Sequence, residues 1–379
     1  MTLLNFIPSA PRGNAKNFPQ NEKIHARQIA FAAAFLLPAA KFLEAPSLLA
    51  KYAAGDLLLP ALLHFLVQTL VLLAVLYAAS LSEKSLLERL KNTLGKGIIV
   101  VYILYAAYFL FAFLLPVFDL EKFVYAAFFD TSPTMFSFAV FFFFSAYVCT
   151  KGIKNIGRSA DLCLLLFLLP FLALLVMSLT EADFSNLFPL FGTPFSDNAK
   201  GFIHTTPHFS DAVLLLPLIA NLRYRKNDGV KITIGYGCGA LFTLLFLAVF
   251  YGVYASIAPR EHYAFSKIAQ YFPALSVVGR IDLLFVYLLS IVLLFYTCLP
   301  LQYTTDLLAH TFHSTRKTWI SAVLNFLLLM LVLYFNKNYD TFYRVISGKL
   351  SALFWLLADI LPLCLLLVPV TNKKEKENA

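Results

Sequence analysis

Charged side chains are scarce in this sequence, and their scarcity excludes an ordinary soluble domain. Asp, Glu, Lys and Arg make up only 13% of the 379 residues, whereas 60% are hydrophobic. The mean hydropathy is +0.76. Because a soluble globular chain carries roughly 25% charged residues, we expect a polytopic membrane protein.

Cysteine is also scarce, and the motifs of common enzymes and metal sites are missing. The five cysteines lie in or beside apolar runs without CxxC spacing, so we expect buried free thiols, no disulfide framework and no zinc site. There is no P-loop and no nucleophile elbow, and the glycines from Gly235 to Gly239 fit close helix packing better than phosphate binding. His204 and His208 lack an acidic third ligand at zinc spacing. We expect no enzymatic activity, no cofactor and no metal.

The basic residues are distributed by loop, which indicates a membrane orientation and no nucleic-acid partner. The net charge is +9, and about twenty Lys and Arg residues fall in alternate loops on one side, against about nine on the other. The richer side comprises 12–27, 84–96, 151–158, 223–231, 316–317 and 373–376. By the positive-inside rule we expect both termini in the cytoplasm, which requires an even number of spans.

Apolar runs of spanning length recur along the chain and predict about ten transmembrane helices. We expect one transmembrane domain over 28–370, between a retained cytoplasmic segment at 1–27 and a cytoplasmic tail at 371–379. The predicted spans are 28–50, 57–80, 97–118, 133–149, 162–180, 207–222, 232–258, 281–304, 319–335 and 350–370.

Ten spans divide into two sets of five, and the odd number places the second set upside down in the bilayer. This parity predicts an all-α, LeuT-like bundle of two inverted five-helix repeats, over about 28–180 and 207–370. The first helix of each repeat is then discontinuous. We expect 259–280 to form a lid, 181–206 to cover the same face, and 82–96 to lie along the cytoplasmic interface or to form a plain connector.

The first span carries Lys41 and Glu44 between Pro38 and Pro46. A charge at the bilayer centre costs about 2.5 to 3.5 kcal/mol on the translocon scale, so the two charges must be compensated or used. They are three residues apart, and one interpretation is a self-neutralised pair on a continuous helix. In the other, the helix opens near Pro38 to Lys41, free N–H groups meet a substrate carboxylate, and Lys41 replaces a bound sodium ion or pairs with the substrate.

Polar residues in other spans have similar alternatives. Asp211 follows Pro207 at the start of the sixth span and is either a helix cap or a ligand contact. His64 and Asp359 are expected to be hydrogen-bonded structural residues, with proton transfer as the alternative. Packing in the bundle is expected for three tyrosines, with a pocket wall as the alternative: Tyr102, Tyr105 and Tyr108.

Three stretches carry a family pattern. The first is RQ at 27–28, followed without gaps by PSLLAK at 46–51 and Asp56. The second is KGIKNIGR at 151–158, and the third is SNLFPL at 185–190, followed by FSD at 209–211. In this order and spacing the sequence resembles the spore-germination permease family. These proteins are the B subunits of germinant receptors, within the amino acid, polyamine and organocation transporter superfamily.

The resemblance implies a receptor subunit that binds a small nutrient such as an amino acid, in the inner membrane of a spore. It also implies two partners, a soluble-domain A-type subunit and a lipoprotein C-type subunit. We place the site at the midplane between spans one, three, six and eight. The alternative function is a proton-coupled amino-acid permease that works alone. The expected site residues are Pro38, Ala39, Ala40, Lys41, Glu44, Phe209, Ser210 and Asp211.

Overall fold

The computed structural model is described here for most of the transmembrane region. The expected cytoplasmic segment at 1–27, most of the connector at 82–96, and the tail at 371–379 lie wholly or largely outside the described residues. The described residues are 24–81, 93–128, 134–151, 153–220, 222, 224–225, 227–271, 281–312, 316–336, 338, 341–342, 344 and 349–367.

Within those ranges the protein is all-helical, apart from one isolated bridge between Ile24 and Leu222. The main helices are α1 (Ala26–Lys41), α2 (Ala45–Ala53), α3 (Leu58–Ser80), α4 (Ile98–Phe128), α5 (Thr134–Val148), α6 (Ile153–Ser178), α7 (Phe195–Thr205), α8 (Asp211–Ala220), α9 (Asp228–Tyr254), α10 (Ala264–Tyr271), α11 (Ile281–Thr311), α12 (Lys317–Asn336) and α13 (Lys349–Trp355).

Six of the described helices are long and apolar enough to cross a membrane, and a bent pair makes a seventh candidate. Two shorter apolar helices, Ala139–Val148 and Ala352–Leu363, fall in the fourth and tenth predicted spans. The multi-pass, all-helical prediction is therefore confirmed, and the count of ten stays a prediction.

The first span is broken between Lys41 and Glu44. Ala26–Lys41 and Ala45–Asp56 meet at an angle of 64°, so the helix continues through Pro38 and opens directly after Lys41. Pro46 occupies the second position of α2, where its missing N–H is not needed, whereas Pro38 lies inside α1. A π-helical turn at Ala32–Leu36 precedes Pro38.

A second helix break lies at the start of the sixth predicted span. Helix α7 ends at Thr205, a single 3-10 turn covers Thr206–His208, and α8 begins at Asp211. Hydropathy missed α7 because Ser196, Asp197, Asn198 and Lys200 interrupt its apolar residues.

Two glycines let α9 approach the first span closely, as the sequence predicted. A Cβ added at Gly235 would lie 2.5 Å from the carbonyl oxygen of Ala30, and one at Gly239 would overlap the carbonyl of Ala33. An added Cβ at Gly237 meets nothing within 4 Å. The first and third glycines therefore fix the helix contact, and the middle one does not.

The described part of the predicted lid packs against the break of the first span. The N–H groups of Ala264 and Phe265 donate to the carbonyls of Leu43 and Phe42 at 3.1 and 3.0 Å. Carbonyls that the broken helix leaves without a partner are thus satisfied by the start of α10. Residues 272–280 of the predicted lid lie outside the described residues.

The cysteines are all free, but their burial differs from the prediction. Cys149, Cys163 and Cys298 are buried, as expected, whereas Cys238 and Cys364 are exposed on the surface of the protein. The expectation of burial was wrong for these two because an apolar span has a lipid-facing side as well as a protein-facing side.

Candidate functional site

The two broken spans are joined by an ion pair inside the bundle. Lys41 Nζ lies 2.6 Å from Asp211 Oδ1, and the two side chains are 1% and 2% exposed. Lys41 also donates to the carbonyl of Leu37 at 3.3 Å. Lys41 is the last residue of α1, and Asp211 is the first of α8. The pair therefore ties the first break to the second.

The alternative in which Lys41 pairs with Glu44 is wrong in this structure. Glu44 lies beyond the break, so the two residues no longer share the face that a continuous helix would give them. Its carboxylate instead pairs with His262 of the lid, with 2.8 Å between Oε2 and Nδ1.

Both oxygens of the Asp211 carboxylate are engaged. The hydroxyl of Tyr236 donates to Oδ2 at 3.1 Å, while Lys41 occupies Oδ1. The Lys41 ammonium also lies 5.5 Å from the centroid of the Phe209 ring, within cation–π range. Tyr236, which the sequence interpretation did not select, completes the pairing of this buried charge.

A second polar network supports the start of α8. Gln68 accepts the N–H of Ala212 at 2.9 Å and donates to Asp359 Oδ1 at 2.6 Å. Asp359 lies in the π-helical turn Leu356–Ile360 of the last predicted span. This hydrogen bond is the structural role predicted for Asp359, and it connects three predicted spans at the second break.

His64 also has the structural role that was predicted. Its Nε2 lies 2.9 Å from the carbonyl of Phe202 and 3.0 Å from Thr205 Oγ1. The imidazole stacks between Phe202 and Phe209, with centroid distances of 4.0 and 4.6 Å. His64 thereby fixes the Phe209 ring beneath the Lys41 ammonium.

A small cavity lies beside the ion pair, between the two breaks. Its volume is about 10 Å³, which is room for about one water molecule. It is lined by residues of the first, third, sixth and eighth predicted spans and by Asp119, which directly follows the third: Ala40, Tyr108, Ala112, Leu115, Pro116, Asp119, Pro207, His208, Ser210, Leu214 and Tyr296.

Only part of the expected site faces this cavity. Ala40 and Ser210 line it, and Lys41, Phe209 and Asp211 form the neighbouring ion-pair cluster. Pro38 and Ala39 are buried inside α1, and Glu44 contacts the lid. The structure thus gathers five of the expected residues around the two breaks and leaves the other three outside the cavity and the ion-pair cluster.

The sequence interpretation missed several cavity residues. Packing is the main expectation for Tyr108, yet it lines the cavity together with Ser210. Asp119 lies one residue beyond the predicted end of the third span. The sequence does not mark Tyr296 as a cavity residue, because a single tyrosine in an apolar run is ordinarily a packing residue.

The described residues contain no group of three or more His, Cys, Asp and Glu side chains that could hold a metal ion. His204 stacks on Tyr52 at 4.8 Å, whereas His208 lines the cavity. The two histidines therefore have different surroundings.

The all-helical bundle, its two broken spans and the buried polar site between them define a transporter-like membrane protein. Solved structures share this fold. A mutant manganese transporter of Eremococcus coleocola matches with a TM-score of 0.58 and 12% identity, over 96% of this chain and 83% of that chain. The same transporter with an aromatic bis-isothiourea substituted compound matches with a TM-score of 0.56 and 13% identity, over the same shares.

The particular family follows from the sequence. The family model for spore germination proteins, the spore permeases, matches residues 23–340, and the chain belongs to this family. No curated protein matches the sequence. The suspected resemblance is thereby confirmed, and the fold is the one that the matched transporter structures share.

Proposed function

We propose that this chain is the membrane subunit of a spore nutrient-germinant receptor, and that it binds a small nutrient such as an amino acid. The observation that carries the proposal is the cavity between the two breaks, beside the Lys41–Asp211 ion pair. Tyr108 and Ser210 add two buried hydroxyls to its lining. Buried hydroxyls of this kind can hydrogen-bond a ligand or a water molecule.

The chemistry of the pair favours a zwitterionic ligand. An amino acid entering between Lys41 and Asp211 replaces one ion pair with two, because its carboxylate meets the ammonium and its ammonium meets the carboxylate. Both buried charges of the protein then have a partner. A buried charge without a partner would cost about 3 to 5 kcal/mol. A ligand with a single charge satisfies only one of the two residues.

Binding requires the protein to open. A cavity of about 10 Å³ holds about one water molecule, so an amino acid enters only after the breaks or the lid have moved. A ligand that binds the open form shifts the population toward that form. In the receptor proposal, partner subunits respond to this shift, and bulk uptake is not needed.

The expected topology and partners belong to the same proposal. We infer ten spans in two inverted repeats. The first repeat begins with the helix pair α1 and α2, and the second begins with the pair α7 and α8. This is supported by the similar form of the two breaks and by the contact between Ile24 and Leu222 at the opposite ends of those helices. Both termini then lie in the cytoplasm. The subunit sits in the inner membrane of the spore with an A-type and a C-type partner.

A second candidate is a proton-coupled amino-acid permease that works alone. The buried Lys41–Asp211 pair favours it, because a proton that neutralises Asp211 releases Lys41 and loosens the contact between the breaks. Purified protein in liposomes distinguishes the candidates. Accumulation of an amino acid under a proton gradient supports the permease and contradicts a receptor without transport.

The receptor proposal is tested by binding and by germination. We expect at least one amino acid to bind the detergent-purified protein in a calorimetric screen, and Lys41→Ala and Asp211→Asn to abolish that binding while the protein stays folded. Lys200→Ala is the matched control, because Lys200 pairs with Asp197 at 2.7 Å on the exposed surface. Normal binding by both site variants would contradict the proposed site. Unchanged germination of a deletion strain would contradict the receptor role.

A further inference from the structure

Two polar side chains of the cavity wall take no part in the ion-pair cluster. His208 belongs to the 3-10 turn between α7 and α8, and Tyr296 lies within α11. Both line the cavity. The proposed function uses Lys41 and Asp211 for the two charges of an amino acid and gives His208 and Tyr296 no role.

These two side chains differ from the polar groups around them in their hydrogen bonding. In the described part of the chain, no hydrogen bond involves the imidazole of His208 or the hydroxyl of Tyr296. The neighbouring Ser210 hydroxyl, in contrast, donates to the carbonyl of Thr206 at 3.0 Å, and the His64 imidazole is hydrogen-bonded as described above. Tyr296 is only 7% exposed. Because buried polar groups are normally hydrogen-bonded, a partner for these two is expected to enter through the cavity.

His208 and Tyr296 also lie beside the two charges of the ion pair. His208 is close enough to Lys41 to interact with it electrostatically, and Tyr296 is close enough to Asp211. One side chain comes from the second break and the other from α11. An amino acid held through its two charges therefore brings its own side chain within reach of both.

Most of the remaining cavity wall is apolar. Small and aliphatic side chains and two prolines form it: Ala40, Ala112, Leu115, Pro116, Pro207 and Leu214. In ligand sites with such walls, a few polar groups fix the orientation of the ligand and provide the specificity. His208 and Tyr296 have the positions and the hydrogen-bonding groups for this role.

The size of the cavity indicates what an incoming side chain must replace. A volume of about 10 Å³ has room for about one water molecule, which can both donate and accept hydrogen bonds. A ligand group that displaces such a water without reproducing its hydrogen bonds loses affinity. A hydroxyl or an amide reproduces them, whereas an aliphatic group leaves His208 and Tyr296 unsatisfied.

Asp119 also lines the cavity, but far from the ion pair. It follows Tyr108 by eleven residues on α4, which is about 16 Å along a helix axis. Tyr108 is close to Asp211, so the side chain of an amino acid held at Asp211 does not reach the Asp119 carboxylate. A positively charged side chain therefore gains no opposite charge there, and the chemistry of His208 and Tyr296 favours a neutral one.

We propose that His208 and Tyr296 select a nutrient amino acid whose side chain carries a neutral hydrogen-bonding group, a hydroxyl or an amide. This inference deepens the proposed function and rests on it, because it requires an amino acid between Lys41 and Asp211.

Amino acids of matched shape test the selection in the unchanged protein. Threonine and valine differ by a hydroxyl in place of a methyl group, and asparagine and leucine differ by an amide in place of a branched alkyl group. We expect titration calorimetry of the full chain in detergent to show that threonine or asparagine binds about tenfold or more tightly than its apolar counterpart. Equal or tighter binding of both apolar members overturns the proposal, and so does lysine if it binds more tightly than threonine and asparagine.

Paired substitutions test the two residues. We expect the preference to disappear in His208→Phe/Tyr296→Phe, while valine and leucine bind at least as tightly as to the unchanged protein. His204→Phe/Tyr287→Phe is the matched control, because His204 stacks on Tyr52 outside the cavity and Tyr287 is a 57% exposed tyrosine of α11. The control should keep the preference. A full preference in His208→Phe/Tyr296→Phe overturns the role of these residues, and the matched pairs decide the selection even if this variant does not fold.

The same titrations separate this inference from the proposed function. If amino acids bind, Lys41→Ala abolishes their binding and the polar members are not preferred, the nutrient site stands and only the selection fails. If the unchanged protein binds no amino acid, the nutrient site fails and the selection fails with it.

Discussion

Lys41 Nζ lies 2.6 Å from Asp211 Oδ1 although the two residues are 170 positions apart in the sequence. Removing one member leaves the other as a buried charge without its partner, which costs about 3 to 5 kcal/mol. We expect Lys41→Met to lower the free energy of unfolding by that amount. Chemical unfolding in detergent measures it.

The double variant and a surface pair serve as controls. Lys41→Met/Asp211→Asn should recover most of the loss, because no buried charge then remains unpaired. Lys200→Met removes the exposed pair with Asp197 and should cost less than about 1 kcal/mol. If the single and the double site variants are equally unstable, the ion pair is not the cause.

The glycines of α9 give a prediction about helix packing. Gly239→Ala should destabilise the protein by about 1 to 3 kcal/mol, because its Cβ would overlap the carbonyl of Ala33 and overpacking forces the backbone to move. Gly237→Ala is the matched control on the same helix, where an added Cβ meets nothing. It should be neutral or slightly stabilising, as alanine is the better helix former. Equal melting temperatures for the two variants would contradict the close contact.

The hydrogen bonds from the Phe191 and Thr193 amides to the Asp56 carboxylate predict local protection from hydrogen exchange. Asp56→Ala removes the acceptor of the Phe191 and Thr193 amides, so both should exchange much faster. Hydrogen bonds to a charged group are worth about 1.5 to 3 kcal/mol each, which corresponds to roughly tenfold to a hundredfold faster exchange per amide. Mass spectrometry of peptides covering 188–194 measures it. Asp197→Ala should leave these amides slow, and fast exchange in the unchanged protein would contradict these hydrogen bonds.

The hydrogen bonds of Gln68 to Ala212 and Asp359 predict that a residue outside the cavity affects nutrient affinity. Gln68→Leu leaves the Ala212 amide and the Asp359 carboxylate without this partner. We expect nutrient affinity to fall about tenfold, or about 1.4 kcal/mol, since α8 then holds Asp211 less firmly. Titration calorimetry measures it.

The neighbouring Thr69 provides the control for that bridge. Its hydroxyl donates to the carbonyl of Phe65 within the same helix, so Thr69→Val should leave affinity unchanged. Gln68→Leu/Asp359→Leu should be more stable than Gln68→Leu, because the buried carboxylate is gone. A Gln68→Leu variant with normal affinity would show that the bridge does not position Asp211.

The sequence predicted long helices well and the details of the breaks poorly. The second span was expected at 57–80 and is observed at Leu58–Ser80, because an uninterrupted apolar run determines both the helix and its length. The first break was expected near Pro38 to Lys41 and directly follows Lys41, but the π-helical turn that precedes Pro38 was not predicted, because hydropathy carries no information on such a local change of backbone.

Contacts between residues that are distant in the sequence were also not predicted. Lys41 and Glu44 have suitable spacing for each other, yet their partners are Asp211 and His262, which only the packed bundle brings close. The proline and acidic residues did direct attention to both breaks. The cavity residues Tyr108 and Tyr296 could not be separated from packing residues, because both roles place an aromatic ring inside an apolar helix.

The size of the cavity affects how any measured affinity is interpreted. Under the receptor proposal, room for one water means that the nutrient binds a minor, expanded form, and the apparent dissociation constant is the intrinsic one divided by the fraction of that form. Each additional 1.4 kcal/mol needed to expand the bundle weakens the observed affinity tenfold. Under the same proposal, a lipid or partner subunit that changes this expansion energy adjusts nutrient sensitivity without touching a residue of the site.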